Sequence, residues 1–182
     1  MARIPYPSLD GLPEKYRAAM GEKPANVTRM LGNASHGAFK GFMVFSQGLL
    51  FDSPVPPKIR ELAILRVGYL SNAPYETFQH EALGRHVGLT DAEIEAIRTG
   101  DCSSGVLDER QCAVLRFVDD LVANVRASDE TLAGVRAHFD DTQLADLILV
   151  SGFYMMVSRF LETTGVEIDG EAIDWTGYPK DE

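Results

Sequence analysis

The chain has 182 residues, of which 45% are hydrophobic and 24% are charged, values typical of a single soluble globular domain. Its formal net charge of -10 argues against nucleic acid or an anionic membrane as a partner, because both are bound through clustered Lys and Arg. No apolar stretch follows Arg3, so no secretory signal is expected and a cytoplasmic location is predicted.

The distribution of helix signals divides the chain into three segments. Residues 1–34 are rich in Pro and Gly and are predicted to form an N-terminal arm that packs over its own domain or a neighbouring subunit. Residues 35–166 are predicted to form a helical domain, and residues 167–182 a largely polar tail. No alternating pattern bounded by hairpin turns occurs, so the predicted fold class is all-α, with antiparallel helix pairs joined by short loops.

Capping and breaking residues separate the helices of the domain. Ser35 is expected to cap a helix that runs to about Leu50. A proline-rich linker, FDSPVPP, leads into the stretch 57–89, in which Ser71 and Asn72 separate two helices. Further helices are predicted to begin near Thr90, Asp108 and Ser128.

The last predicted helix, at 143–164, is apolar nearly all round, so we expect it to be buried within the subunit or between subunits. Its most apolar part, 144–161, contains Asp146 and Arg159 and is too short and too charged for a membrane span. One subunit of this size is not expected to cover both this helix and the long arm. A homo-oligomer is therefore predicted.

Glu61, Glu76 and His80 are the candidate catalytic residues of the stretch 57–89. Glu76 and His80 lie four residues apart in its second helix, so they share a face and can hydrogen-bond. A carboxylate beside an imidazole raises the pKa of the imidazole and fixes its tautomer, as acid–base chemistry often requires. Two carboxylates beside one imidazole would hold the proton of the cluster above the range of a free imidazole.

Neither a metal nor a cofactor is predicted for this chain. Glu76 and His80 would supply two metal ligands, fewer than the usual three. Cys102, in the loop DCSSG, and Cys112, in a helix, have the spacing of neither a redox pair nor a metal site, so two reduced thiols are expected.

The segments RELAILRV and YETFQHE within 57–89 resemble the core motif of the carboxymuconolactone decarboxylase family, which includes the alkylhydroperoxidase D-like proteins. The resemblance extends from about Gly32 to Val166. It implies an all-α, alkylhydroperoxidase D-like bundle that assembles as a dimer, trimer or hexamer.

The redox branch of that family has the pattern Glu, eleven residues, Cys-x-x-Cys, three residues and His. In this chain Glu61 and His80 stand in register with that pattern, whereas Ala73 and Glu76 occupy the two cysteine positions. The chain is therefore similar to the branch that lacks the cysteines. The same frame implies that Glu61 lies against Glu76 and His80.

Three hypotheses of function remain open. In the first, His80 is a general acid or base, oriented by Glu76 or Glu61, in the decarboxylation or isomerisation of a small lactone or keto acid. Arg60 and Arg66 are then the candidate substrate-binding cations. In the second, the protein is a helical oligomer or binding protein, and its Glu/His network is structural. The third, a thiol peroxidase, requires a reactive thiolate and a resolving thiol, which the motif lacks.

Overall fold

The computed structural model describes residues 1–8, 10, 12–21 and 23–179, and these residues are helical without any β-strand. The predicted all-α fold is therefore confirmed. The helices are α1 (Glu14–Met20), α2 (Asn26–Leu31), α3 (His36–Gln47), α4 (Pro57–Leu70), α5 (Pro74–His86), α6 (Asp91–Thr99), α7 (Glu109–Asn124), α8 (Asp129–Arg136) and α9 (Asp141–Thr164). A π-helical turn, Gly48–Asp52, follows α3.

Side-chain caps explain where the helices of the domain begin. Thr90 and Asp108 both form complete capping boxes, in which the cap side chain and the side chain three residues later bond each other's backbone N–H. Ser35 and Ser128 cap α3 and α8 as predicted. The start of α9 was misplaced by two residues, because Asp140 forms a further capping box that the sequence analysis missed.

Helix α4 lies at the centre of the molecule and packs against α5, α6, α7 and α9. Its apolar side chains from Ile59 to Val67 are buried on every side, and even Arg60, Glu61 and Arg66 are largely covered. Fully burying one Leu or Ile side chain contributes roughly 1.5–3 kcal/mol, so this helix is the main source of hydrophobic stabilisation. Every polar group on it must therefore find a partner inside the protein.

A close approach between α4 and α5 positions the second helix of the central stretch. The turn between them uses Asn72 with a positive φ of 50°. A Cβ atom on Gly68 would lie 3.0 Å from Cγ2 of Thr77 and 3.5 Å from Cγ of Glu76. The glycine thus allows the start of α5 to lie directly on α4, with Glu76 turned inward.

Helix α9 is long and apolar enough to cross a membrane by length and composition alone, but half of its most apolar part is buried inside the fold. That side packs on α4 and α7 through residues such as Leu147 and Leu161. The opposite side, which includes Ile148 and Met156, is exposed in the single chain. Burial within the subunit is therefore confirmed for one side of the helix.

The N-terminal arm packs on its own domain, one of the two predicted arrangements. The backbone N–H of Arg3 donates to the carbonyl of Thr164 at 2.8 Å, at the end of α9. Met20 and Leu31 of the arm form a small apolar cluster with Phe39 of α3. These contacts bring the start of α2 beside the C-terminal residues, which lie next to the site described below.

Candidate acid–base site

The structure brings Glu61, Glu76 and His80 together between α4 and α5. Nδ1 of His80 lies 2.6 Å from Oε2 of Glu61, and its Nε2 lies 3.1 Å from Oε1 of Glu76. The three residues are 0%, 4% and 6% exposed, respectively. One imidazole is thus held between two carboxylates in the interior of the domain.

This geometry favours the protonated form of His80. Each ring nitrogen faces a carboxylate, and both nitrogens can donate an N–H only when the ring is an imidazolium. Burial alone lowers the pKa of His80, but the charge and hydrogen bond of Glu61, aided by Glu76, outweigh burial and raise the pKa of His80 to about 10. The direction agrees with the sequence-based expectation for this cluster.

Two aromatic residues that the sequence analysis did not assign to the site surround the imidazole. The ring of Tyr154, on α9, meets the His80 ring edge to face at 4.9 Å between centroids, and the ring of Trp175 lies 6.3 Å from it. Burial, followed by the negative charges of Glu76 and Glu61, raises the pKa of Tyr154 well above its usual value. Tyr154 therefore carries its proton at neutral pH.

Two buried polar atoms at this site have no hydrogen-bond partner within the described residues. They are Oε1 of Glu61, an acceptor, and Nε1 of Trp175, a donor. An unpaired buried polar group typically costs about 1–3 kcal/mol, so native proteins rarely retain one without a reason. The site therefore has an acceptor and a donor available to a small molecule.

The two arginines proposed as substrate-binding residues lie in different surroundings. Arg60 is 1% exposed and donates to the carbonyls of Val55 and Leu50, at 2.9 and 2.8 Å, and to the hydroxyl of Tyr178. Its charge is close enough to lower the pKa of Tyr154, against the larger opposing effects of burial and the two carboxylates. Arg60 thus borders the site from behind Tyr178.

Arg66 is turned away from the acid–base cluster. Its guanidinium binds the carboxylate of Asp119 on α7 at 2.5 and 3.1 Å. It also donates to the carbonyls of Ile97 and Arg98 in the last turn of α6. These bonds connect three helices and leave the side chain pointing into their interface.

The C-terminal segment, which we define as residues 166–179, covers the cluster. Asp169 accepts hydrogen bonds from the hydroxyl of Tyr75 at 2.5 Å, the amide of Gln79 at 2.9 Å and the backbone N–H of Asn26 at 2.9 Å. The side-chain oxygen of Gln79 accepts in turn from the N–H of Ile173 at 2.8 Å. The segment therefore packs along α5.

A match to a known protein family covers the acid–base cluster. Residues 37–120 match the model of the Carboxymuconolactone decarboxylase family. Residues 37–120 therefore belong to this family. The match includes Glu61, Glu76 and His80, but ends before Tyr154 and Trp175. No curated protein sequence matches the chain.

Solved structures show that the carboxymuconolactone decarboxylase-like domain has an alkylhydroperoxidase D-like core. An uncharacterised peroxidase-related protein from Ralstonia eutropha is 20% identical, with a TM-score of 0.81 and 93% of each chain covered. A second such protein, from a Silicibacter species, is 19% identical, with a TM-score of 0.79 and coverage of 93% of this chain and 92% of that one. The debrominase Bmp8, solved with 2,3,4-tribromopyrrole, is 11% identical, with a TM-score of 0.73 and 92% of each chain covered. At these identities the likeness concerns the fold alone.

Neither cysteine of the domain belongs to the acid–base cluster. Cys102 lies in the loop before α7, and Cys112 is buried in α7, with Sγ 4.0 Å from the carbonyl oxygen of Cys102. Burial and the neighbouring Cys102 side chain raise the pKa of Cys112 to about 12. The two thiols are therefore closer in space than their spacing predicted, but the thiol of Cys112 is protonated and unreactive at neutral pH.

Within the described residues no group of three or more His, Cys, Asp or Glu side chains is arranged to hold a metal ion.

Proposed function

We propose that this protein is a carboxymuconolactone decarboxylase-like enzyme, a lyase or isomerase that acts on a small lactone or keto acid in the cytoplasm. The proposal is supported by one observation above all, the burial of His80 between two carboxylates. This arrangement keeps a proton on His80 at neutral pH, next to an unpaired carboxylate oxygen of Glu61. An acid and a base thus stand side by side.

These groups match the proton transfers that the two reaction types need. In an isomerisation, Oε1 of Glu61 would take a proton from a carbon next to the carbonyl, and His80 would return a proton at another carbon. In a decarboxylation, His80 would protonate the carbon that loses carbon dioxide. Its longer bond, to Glu76, is the one that would break as the proton moves. The Tyr154 hydroxyl, which keeps its proton, can donate to the substrate oxygen that gains charge.

Charge at the site affects the choice between the two substrate classes. Two carboxylates and one imidazolium have a net charge of about -1, which opposes the entry of an anionic keto acid. Arg60 offsets this charge from behind Tyr178, so it is our candidate for attracting an anionic group through its charge, while its donors bond Val55, Leu50 and Tyr178. Arg66 contributes little in this scheme, because its donors are engaged by Asp119 and α6.

A structural role for the same network is the second candidate. It is favoured by the observation that both ring nitrogens of His80 are already bonded to protein and that the C-terminal segment covers the cluster. A thiol peroxidase is disfavoured, because Ala73 and Glu76 stand at the cysteine positions of the motif and the pKa of Cys112 is raised to about 12 by burial and Cys102.

Turnover of small lactones and keto acids by purified variants tests the proposal. We expect His80→Gln to lower kcat by roughly 10²–10⁴, the usual contribution of a general acid or base. Glu76→Gln keeps a hydrogen-bond partner for His80 and should have a smaller effect. The Cys102→Ser, Cys112→Ser double variant is the matched control and should keep full activity. Turnover that survives in folded His80→Gln, or is lost in the double cysteine variant, would refute the assignment.

A further inference from the structure

Between Glu167 and Ile173, the C-terminal segment is attached to the domain mainly through polar contacts. Asp169 is the central anchor and accepts three hydrogen bonds, two from α5 and its N-terminal turn and one from the start of α2. The N–H of Ile173 adds a fourth bond, to Gln79. Water can replace each of these partners, so breaking this attachment costs far less than exposing an equal number of apolar side chains.

Apolar packing of the segment is concentrated at its end, where Tyr178 and the partly buried Trp175 pack against Leu83 and Val87 at the end of α5. Ile168 and Ile173 are exposed, and Tyr178 is the one residue of the segment that is fully buried. On its outer side, residues 169–174 line a groove of about 660 Å³ shared with Lys23 and Thr28 of the arm. The segment thus has protein on one side and open space on the other. Such lightly packed elements are the ones that open locally.

The site beneath the segment is covered, but not all buried polar atoms there are hydrogen-bonded within the described residues. His80 is covered by Trp175 and Tyr154, and Oε1 of Glu61 and Nε1 of Trp175 itself are buried without a hydrogen-bond partner within the described residues. A small molecule in contact with the imidazole would have to displace the cover. It could then bond Oε1 of Glu61, and Nε1 of Trp175 once the segment closes over it. The closed arrangement therefore leaves hydrogen bonds that only a ligand or water can complete.

We propose that residues 166–177 of the C-terminal segment form a movable cover, which opens as a unit when the Asp169 anchor is released and admits a small molecule to Glu61, Glu76 and His80. The inference rests on the proposed function for its biological purpose. The opening itself is a property of the chain and can be measured without a substrate. Tyr178, bound to Arg60, and the end of α9 at Thr164 are the two fixed points between which the cover moves.

Trp175 is the only tryptophan of the chain, so its fluorescence reports the cover directly. We expect Asp169→Ala to increase the Stern–Volmer constant for acrylamide quenching by about twofold or more, because the anchor that holds the segment on α5 is gone. Glu171→Ala is the matched control: Glu171 lies two residues away, is exposed, and should leave quenching unchanged. Equal quenching of folded Asp169→Ala and the unaltered protein would overturn the proposal.

Hydrogen exchange of the unaltered protein provides a second test that does not depend on how Asp169→Ala folds. The N–H of Ile173 is bonded to Gln79, so it should exchange only when the cover opens, and roughly tenfold or more faster than the amides of α4. Exchange of Ile173 at the rate of α4 would mean that the segment leaves only on global unfolding, and the cover would then be static. If the cover is static but the protein turns over a substrate, the movable cover is refuted and the acid–base function is retained. If the cover opens but no turnover is found, the movable cover is retained and the acid–base function is refuted.

Discussion

At the scale of single residues, the central feature is a positive charge held in the interior by two negative ones. Glu61 is fully buried, and His80 is its hydrogen-bond partner. Removing one member of such a buried group leaves an uncompensated charge and typically costs about 3–5 kcal/mol. His80→Gln is therefore expected to lower the melting temperature whether the cluster is catalytic or structural. Only the turnover measurements separate the two roles.

The raised pKa of His80 makes stability depend on pH in a definite direction. Burial lowers the pKa, but Glu61 and Glu76 raise it from the unfolded value of 6.5 to about 10. The proton on the His80 imidazolium therefore contributes fully to the free energy of unfolding below about pH 6.5. This contribution declines as the pH rises and is gone above about pH 10.

We therefore expect the free energy of unfolding to fall between about pH 7 and about pH 10, as His80 loses this contribution. Urea titrations across this range measure it, and His80→Gln serves as the control, because its unfolding free energy should change less over the same interval. A pH dependence that is identical in both proteins would show that His80 is not the group responsible.

At the scale of secondary-structure elements, Arg66 joins α4 to α6 and α7. Its contacts with the last carbonyls of α6 satisfy groups that have no partner within that helix. Gly100 caps α6 with a φ of 76°, and a Cβ atom on it would lie 2.7 Å from Nη2 of Arg66. The absence of a side chain at Gly100 is what allows the guanidinium to reach the end of the helix.

Gly100→Ala should therefore destabilise the protein by more than backbone strain alone. Gly105 has nearly the same φ, 75°, but a Cβ atom there would meet nothing within 4 Å. We expect Gly105→Ala to cost about 1 kcal/mol from strain and Gly100→Ala about 2 kcal/mol or more, because Arg66 must also move. Denaturant unfolding of both variants measures the difference. Equal losses would mean that Arg66 adapts without cost.

At the scale of the whole molecule, one side of α9 is apolar and exposed in the single chain. Two apolar hollows lie on it, of about 390 and 420 Å³, and Met156 lines both of them. The first is formed with α7, and the second with Phe42 and Phe45 of α3. Contiguous apolar surface of this kind is typical of a protein–protein interface. The proposed homo-oligomer would use this side of the molecule.

Light scattering is expected to give a mass above that of the 20.0 kDa chain at micromolar concentration. Met156→Glu should reduce that mass, because it places a charge in the centre of the apolar surface. Val106→Glu is the matched control, since Val106 is 40% exposed, against 47% for Met156, and lies in the loop before α7. A 20 kDa particle for the unaltered protein, or dissociation by both variants, would contradict this use of α9.

Local chemistry in the sequence determined the helices and part of the site. The capping boxes at Thr90 and Asp108 depend on side chains three residues apart, so they can be recognised without knowledge of the fold. The pairing of Glu76 with His80 follows from one helical turn. Glu61 could be placed opposite them only through the family motif, because nothing local relates two residues nineteen positions apart.

Tertiary structure alone decided where the arginines point and what covers the site. Helix α4 is buried on all sides from Ile59 to Gly68, so its periodicity has no polar face from which the directions of Arg60 and Arg66 could be predicted. Tyr154 and Trp175 reach His80 from far along the chain, through the packing of α9 and the polar attachment of the C-terminal segment. Local sequence patterns carry no information on such contacts, because their free energy depends on which surfaces the folded helices bring together.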